Sequence, residues 1–337
     1  MNQLCDYIEF DVKQIPFSGT VLIKQQDSDI VSGAYGHACK AEQRDNQLNT
    51  RFGIASGCKI FTAVAVCQLV ARGLLSFDSK LSDHLKKIQL SYFHPDITVH
   101  QLLTHSSGIP DYFDEAIMDD FEELWKTTPM YTLRRLEDFV PLFRELPMLA
   151  SPGECFQYNN AGYIVLGLLV EELSGMSFTD YVELHIFQPC GMEHSGYFSL
   201  DALPSNCAYG YIEDEHGDWR TNIYSLPVKG GADGGAFVTA PDMLQFWSGL
   251  MHHKLLSPTM TSLLLTPHIH VGGEGYYGYG VWITLREEKV SNYHLMGFDP
   301  GVSFRSAYYP GSGDTVVVMC NTGTGASQVF KDIDARL

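Results

Sequence analysis

Ser56-Gly57-Cys58-Lys59 sets a hydroxyl and an amine three residues apart, and on a helix residues i and i+3 share a face. A serine hydroxyl becomes a nucleophile only when a neighbour takes its proton, which an amine with a burial-lowered pKa can do. A helix beginning here would turn its backbone N–H groups and the positive end of its dipole toward a developing oxyanion. Of the twelve lysines, only Lys59 has a serine at this spacing. The competing reading is a serine helix cap followed by a snorkelling lysine, which fits poorly in so apolar a run. Cys58 invites a thiolate reading, but position i+2 from Ser56 points to another face of the helix.

Tyr158-Asn159-Asn160 follows the turn signal Ser151-Pro152-Gly153 and precedes a helical pattern. A tyrosine beside an ammonium gives up its proton more readily and can act as general base toward a serine. The Asn160 amide can hold both the lysine and a substrate carbonyl. Without context, the same residues read as an interior aromatic and a helix cap. A third group, His294-Leu295-Met296-Gly297, lies in strand-like text running on through Phe298-Asp299-Pro300-Gly301. There Gly297 permits close backbone approach, and an edge strand supplies a further N–H for an oxyanion. Tyr277 and Tyr279 are expected to line an acyl pocket. Metal chemistry has no support: HExxH is missing, and His252-His253 and His268/His270 lack partners at a ligand spacing. Gly272-Gly273-Glu274-Gly275 has no following lysine and serine, so it is not a phosphate loop.

These groups need elements to hold them. Thr20 to Lys24 and Ile30 to Tyr35 read as a hairpin around the polar stretch QQDSD. Ser56 to Arg72 is apolar on nearly every face, which predicts a buried helix ending at Gly73. Prolines at 95, 110, 129, 141, 147, 152 and 189 punctuate a region from about 78 to 200 that reads as a helical insertion. Within it, Asn160 to Leu173 has helical spacing and Gly175 ends the run. Strand-like text returns at Gly278 to Leu285, Val302 to Tyr309 and Thr315 to Cys320. The expected fold is α/β (α+β): an antiparallel sheet built from both termini and flanked by helices, within one catalytic domain over 1–337. Its sheet regions are 18–77 and 201–337, its helical region 78–200.

Composition limits the partners. The 337 residues are 45% hydrophobic, and 22 lysines and arginines against 40 acidic residues leave a net charge of −18. Such a balance disfavours a nucleic-acid partner; it would steer neutral or cationic ligands, but more often serves solubility alone. Eight cysteines are scattered without a CxxC pair, as reduced thiols are. No basic segment followed by an apolar stretch opens the chain, and no run of about twenty apolar residues spans a membrane, so a cytoplasmic location is expected.

Taken in order, the three groups resemble the β-lactamase-related serine hydrolases: class C β-lactamases, serine DD-peptidases and their esterase and aminopeptidase relatives. An S-x-x-K motif with companion elements is characteristic of such enzymes. The resemblance extends through FGIASGCKIFTAVAVCQLVARGLLSFDSKL, TVHQLLTHSSGIPDY, SPGECFQYNNAGYIVLGLLVEELSG, GGADGGAFVTAPDMLQF and GYGVWI, over roughly residues 18 to 322. It implies Ser56 as acyl-accepting nucleophile, Lys59 as its proton partner and electrostatic support, and Tyr158 as general base and acid. Asn160 would contact lysine and substrate, and His294 would take the first position of a K/H-T/S-G triplet. The oxyanion donors would be the backbone N–H groups of Ser56 and Gly297. No cofactor is implied. Leu295 stands where the triplet has a hydroxyl and Met296 where it has glycine, which costs a bound carboxylate roughly 1–3 kcal/mol of hydrogen bonding. A protonated His294 would offset part of that loss. The expectation is acyl-enzyme chemistry on an ester or a small amide or peptide. The alternatives are a DD-peptidase-like or weak β-lactamase (penicillin-binding) activity, a module that binds an acyl group or peptide without turnover, and an assembly-forming protein that has lost the chemistry.

Overall fold

The computed structural model describes residues 3–25, 29–86, 88, 90, 92–114, 118 and 121–337. The hairpin appears as β1 (Gly19–Gln25) and β2 (Asp29–Tyr35); residues 26–28 of the expected turn lie outside the described residues. The other strands of the main sheet all come from the C-terminal quarter: β3 (Ile269–Gly272), β4 (Gly275–Tyr277), β5 (Trp282–Arg286), β6 (Lys289–Asp299), β7 (Val302–Tyr309) and β8 (Asp314–Cys320). They assemble in the order β2-β1-β8-β7-β6-β5-β4-β3, every pair antiparallel. β1 sits beside β8, with Gly19 opposite Cys320, so the sheet joins the two ends of the chain as the patterning predicts.

Alternation along the strands divides two cores. Leu22, Ile283, Leu295, Phe304, Val317 and Met319 face a large cluster that includes α1 (Lys59–Ala71), α2 (Asn160–Ser174) and α3 (Ala240–Met251). Val21, Ile23, Ala307, Val316 and Val318 face a smaller cluster with Leu4, Tyr7 and Ile8 on one side and α4 (Ala326–Asp334) on the other. α1 is buried along nearly its whole length, as a helix without a polar face must be. Gly73 and Gly175 follow α1 and α2 in left-handed conformation, at φ +72° and +71°, and end them as expected.

Two expectations need adjustment. Among the described residues from 78 to 200 the long helices are α2 and the continuous run Phe178–Cys190, which carries a π-turn at Glu183–Phe187; the rest that is helical consists of short turns, several of them 3-10, such as Phe121–Lys126 and Leu136–Leu142. The strand expected from Gly278 begins only at Trp282, because Gly278 N–H closes a turn onto Val281 O at 2.8 Å. Among the described residues no single helix is long and apolar enough to cross a membrane. All eight cysteines are free thiols, six of them buried.

The sheet meets the start of α1 at Gly297 of β6. A Cβ added there would lie 2.0 Å from the Ile54 carbonyl oxygen and 3.0 Å from the Gly57 nitrogen, both backbone atoms with little freedom to retreat. Gly297→Ala is therefore expected to destabilise the protein by about 1–3 kcal/mol, read as a lower urea midpoint; an unchanged midpoint would show that the two backbones are not in contact.

Candidate active site

Ser56 lies in a 3-10 turn, Ala55–Cys58, that runs directly into α1. Ala55 has φ +46°, a left-handed conformation unusual for a residue with a side chain. The turn is tied to a glycine-rich loop: Ile54 N–H donates to Ala236 O at 3.0 Å and Gly235 N–H to Ala55 O at 3.3 Å. Lys59, 1% exposed, directs its Nζ to Ser56 Oγ at 2.9 Å, Asn160 Oδ1 at 2.8 Å and the Asp233 carbonyl at 2.7 Å. Three acceptors match the three N–H bonds of an ammonium. The same Nζ lies 4.9 Å from the Tyr158 ring centroid and 5.5 Å from that of Tyr163, where the faces of the rings favour a cation. The structure thus brings Ser56, Lys59, Tyr158 and Asn160 together.

Tyr158 and Asn160 are positioned by a second segment, 105–113, which runs against 149–161. Leu149 N–H donates to Gly108 O, Gly153 N–H to Ser106 O and Gln157 N–H to His105 O. The Asn159 side chain caps α2 by accepting from Gly162 N–H at 2.7 Å, and its amide donates to Ile109 O at 2.8 Å. The Asp111 carboxylate accepts from Asn160 N–H at 2.6 Å and Ala161 N–H at 2.9 Å. Thus Asn160 is the first residue of α2 and Asn159 its cap. The Tyr158 ring lies between His105, at a centroid distance of 4.4 Å, and Trp282, stacked at 6.0 Å.

Two carboxylates accompany the ammonium. Asp233, 6% exposed, accepts a hydrogen bond from the Tyr112 hydroxyl; burial raises its pKa, and the Lys59 charge opposes the rise. Burial pushes Asp111 up to about 7 against the pull of its backbone donors, Asn160 and Ala161 foremost, and of Lys59. Cys58 is fully buried, donates to Gly231 O at 3.7 Å, and its thiol is pushed up to about 12 by burial. It remains protonated at neutral pH, so the thiolate reading fails.

The structure also corrects the triplet. Leu295 and Gly297 face α1, so the alternation of β6 sends His294 to the other side of the sheet. There its Nδ1 lies 3.0 Å from Asn292 Oδ1, and burial, with Arg305 nearby, depresses its pKa to about 4. His294 does not line the cleft and carries no charge at neutral pH, so it cannot offset the missing hydroxyl. Gly297 and Met296 do line the cleft, as do Ser56, Tyr158 and Asn160. β5 pairs with β6 only as far as Trp282 opposite His294, so beyond that point this edge of β6 is without a strand partner and borders the cleft. Tyr277 and Tyr279 are buried away from it. Tyr277 packs behind His105, and Tyr279 lies against His100 and His268. The cleft measures about 980 Å³, with Phe113, Phe121, Phe139 and Leu226 among its walls and Phe298, 69% exposed, at its rim.

His105, Asp111, Tyr112, Asp233 and Trp282 were not singled out from sequence. The signal of the first four was present as polar residues inside TVHQLLTHSSGIPDY and GGADGGAFV, segments whose remaining residues are mostly apolar, small or turn-forming, and Trp282 lies in GYGVWI.

Compared with known proteins, residues 9–337 match the sequence model of the family described as Beta-lactamase. The chain is similar to penicillin-binding protein 4* of Bacillus subtilis (strain 168), with 27% identity over 319 residues that make up 90% of this chain and 68% of that protein. Among solved structures it resembles a penicillin binding protein from Bacillus halodurans, at 54% identity and TM-score 0.94, covering 99% of this chain and 100% of that one. It also resembles the octameric penicillin-binding protein homologue from Pyrococcus abyssi, at 27% identity and TM-score 0.84, covering 97% and 75%.

Asp111 makes the site answer to pH. Its folded value of about 7 exceeds the ordinary carboxylate value near 4, so between these limits the folded chain keeps a proton that the unfolded chain releases. Its contribution to stability is full below about pH 4 and declines as pH rises through about 7. In urea titrations wild type is expected to lose stability relative to Asp111→Asn across that window and to hold a constant difference above about pH 8. A difference that does not vary with pH would sink this account.

Proposed function

This chain belongs to the beta-lactamase family of serine hydrolases, and we propose that Ser56 is its nucleophile, acting on an ester or small amide whose acyl group is apolar. The observation that carries this reading is the buried Lys59 ammonium bonded at once to Ser56 Oγ and Asn160 Oδ1 beneath the Tyr158 ring. With its three N–H bonds all donated, Lys59 serves as a fixed positive charge, and proton transfer falls to Tyr158.

In the first step Tyr158, as phenolate, takes the Ser56 proton while Oγ bonds to the substrate carbonyl carbon. The oxyanion is held by the backbone N–H groups of Ser56 and of Phe298 on the free edge of β6. Asp299 and Val302 form a hydrogen-bonded pair across a two-residue turn, so the Gly297 N–H bonds to Phe304 and does not take the role expected of it. Collapse breaks the bond to the leaving group, which receives the proton from Tyr158, and leaves an ester on Ser56. A water then gives its proton to Tyr158, attacks that ester and releases the acid, with the proton returning to Ser56. Asn160 orients the acyl carbonyl through its amide. The phenylalanine-rich wall of the cleft favours an apolar acyl group, whereas Leu295 and Met296 supply no hydroxyl for a substrate carboxylate.

Intact mass after fluorophosphonate treatment is expected to rise by one adduct in wild type and not at all in Ser56→Ala. Across p-nitrophenyl acetate, butyrate and octanoate, kcat/KM is expected to climb, with a ceiling of roughly fourfold per methylene set by about 0.8 kcal/mol of burial. Penicillin is expected to acylate Ser56 more slowly than the butyrate ester. Labelling of both proteins, or of neither, would refute the nucleophile; a penicillin adduct forming faster than the ester adduct would favour a DD-peptidase-like activity.

A further inference from the structure

Tyr158 is gripped from three directions by one residue that the reaction does not use. The His105 carbonyl accepts the N–H of Gln157 at 2.7 Å, and His105 Nδ1 accepts the N–H of Asn159 at 3.0 Å. The residues on either side of Tyr158 are therefore both tethered to His105. The imidazole also lies against the phenol ring, with centroids 4.4 Å apart and planes 35° from parallel. Tyr163 and Tyr277 pack on the imidazole at 4.9 and 4.8 Å, so it has little room to swing. His105 reaches all these contacts with φ at +55°, a left-handed backbone that an L-residue adopts at a cost. Strain of this kind persists where the surroundings hold it in place, and it clusters at functional sites.

The tautomer follows from the tether. Because Nδ1 accepts a hydrogen bond, the ring proton of the neutral imidazole must be on Nε2. Nε2 is buried and has no hydrogen-bond partner among the described residues. A second proton would have to enter at Nδ1, where it would face the Asn159 N–H and break the tether. Burial and the Lys59 charge both oppose that protonation.

We propose that His105 is a positioning residue, a neutral imidazole that fixes the place and tilt of the Tyr158 phenol relative to Ser56 without touching substrate. The proposal rests on Tyr158 as the proton carrier. If the clamp loosens, the phenol oxygen drifts from Ser56 and from the Lys59 charge that favours its phenolate. Both the rate of proton transfer and the pKa governing it then change.

The test compares wild type, His105→Asn, His105→Phe and Tyr158→Phe. Asparagine tolerates the left-handed backbone and keeps an acceptor close to the place of Nδ1, which makes it the variant suited to folding. Phenylalanine keeps a ring and loses the acceptor. For p-nitrophenyl butyrate, kcat of each His105 variant is expected to fall roughly 10- to 100-fold, the range that a misplacement of about 1 Å produces, with KM within about twofold of wild type. The apparent pKa on the acidic limb of kcat/KM is expected to move as well, and fluorophosphonate labelling is expected to slow in parallel. A His105→Asn protein with wild-type kcat and an unmoved pH profile would overturn the proposal. So would a kcat loss that comes with a lower melting temperature and an unmoved pH profile, since that marks a purely structural role. Tyr158→Phe labelled at the wild-type rate would instead remove the reading beneath the proposal, which is a separate result from either of these.

Discussion

A positive charge taken out of water has to be compensated on the spot, and in this protein that charge is the Lys59 ammonium. Moving such an ion into a protein interior costs several kcal/mol even after relaxation, and only good geometry with every proton donated recovers it. Three separate stretches of chain are committed to the task. The Ser56 turn supplies one oxygen, the head of α2 a second and the glycine-rich loop at Asp233 a third. The rings of Tyr158 and Tyr163 close over the ammonium. Removal of any one acceptor would leave a buried proton without a partner, so the spacing of α1, α2 and the loop is set to within hydrogen-bond tolerance.

The same requirement explains the segment from 105 to 113. An acceptor on α2 helps Lys59 only if the start of α2 cannot drift, and a helix start has N–H groups that need partners of their own. Asn159 satisfies one, and Asp111 satisfies those of Asn160 and Ala161. Asp111 and Asp233 lie near the ammonium at the expense of their own hydration, which raises the pKa of both. A site of this kind is organised before substrate arrives, so little reorganisation is left for the moment of reaction.

The separation of what the sequence revealed from what it concealed follows from how each feature is encoded. Ser56 and Lys59 are neighbours on one helical turn, and α1 and α2 show a period and a terminating glycine, so local pattern sufficed. Tyr158 and Asn160 lie about a hundred residues beyond Lys59, and only the resemblance to a family joined them to it. His294 was misplaced because a strand inverts its facing at every residue: without the Gly297 contact to Ile54, nothing in the text says which of two neighbours turns toward α1. His105 and Asp111 act on backbone N–H groups some fifty residues further along the chain, and any residue type can supply an N–H, so no pattern marks the recipient.

The pairing of β1 with β8 has a consequence for how the molecule comes into being. Gly19 to Lys24 can form their second ladder only with Thr315 to Cys320, so on a ribosome the first hairpin must wait until nearly three hundred further residues have been made. Until then one edge of β1 is open, a template on which another nascent chain can add. Contacts so distant in sequence make for slow folding. The interval between synthesis of β1 and its closure by β8 is thus when that edge is open to pairing with another chain.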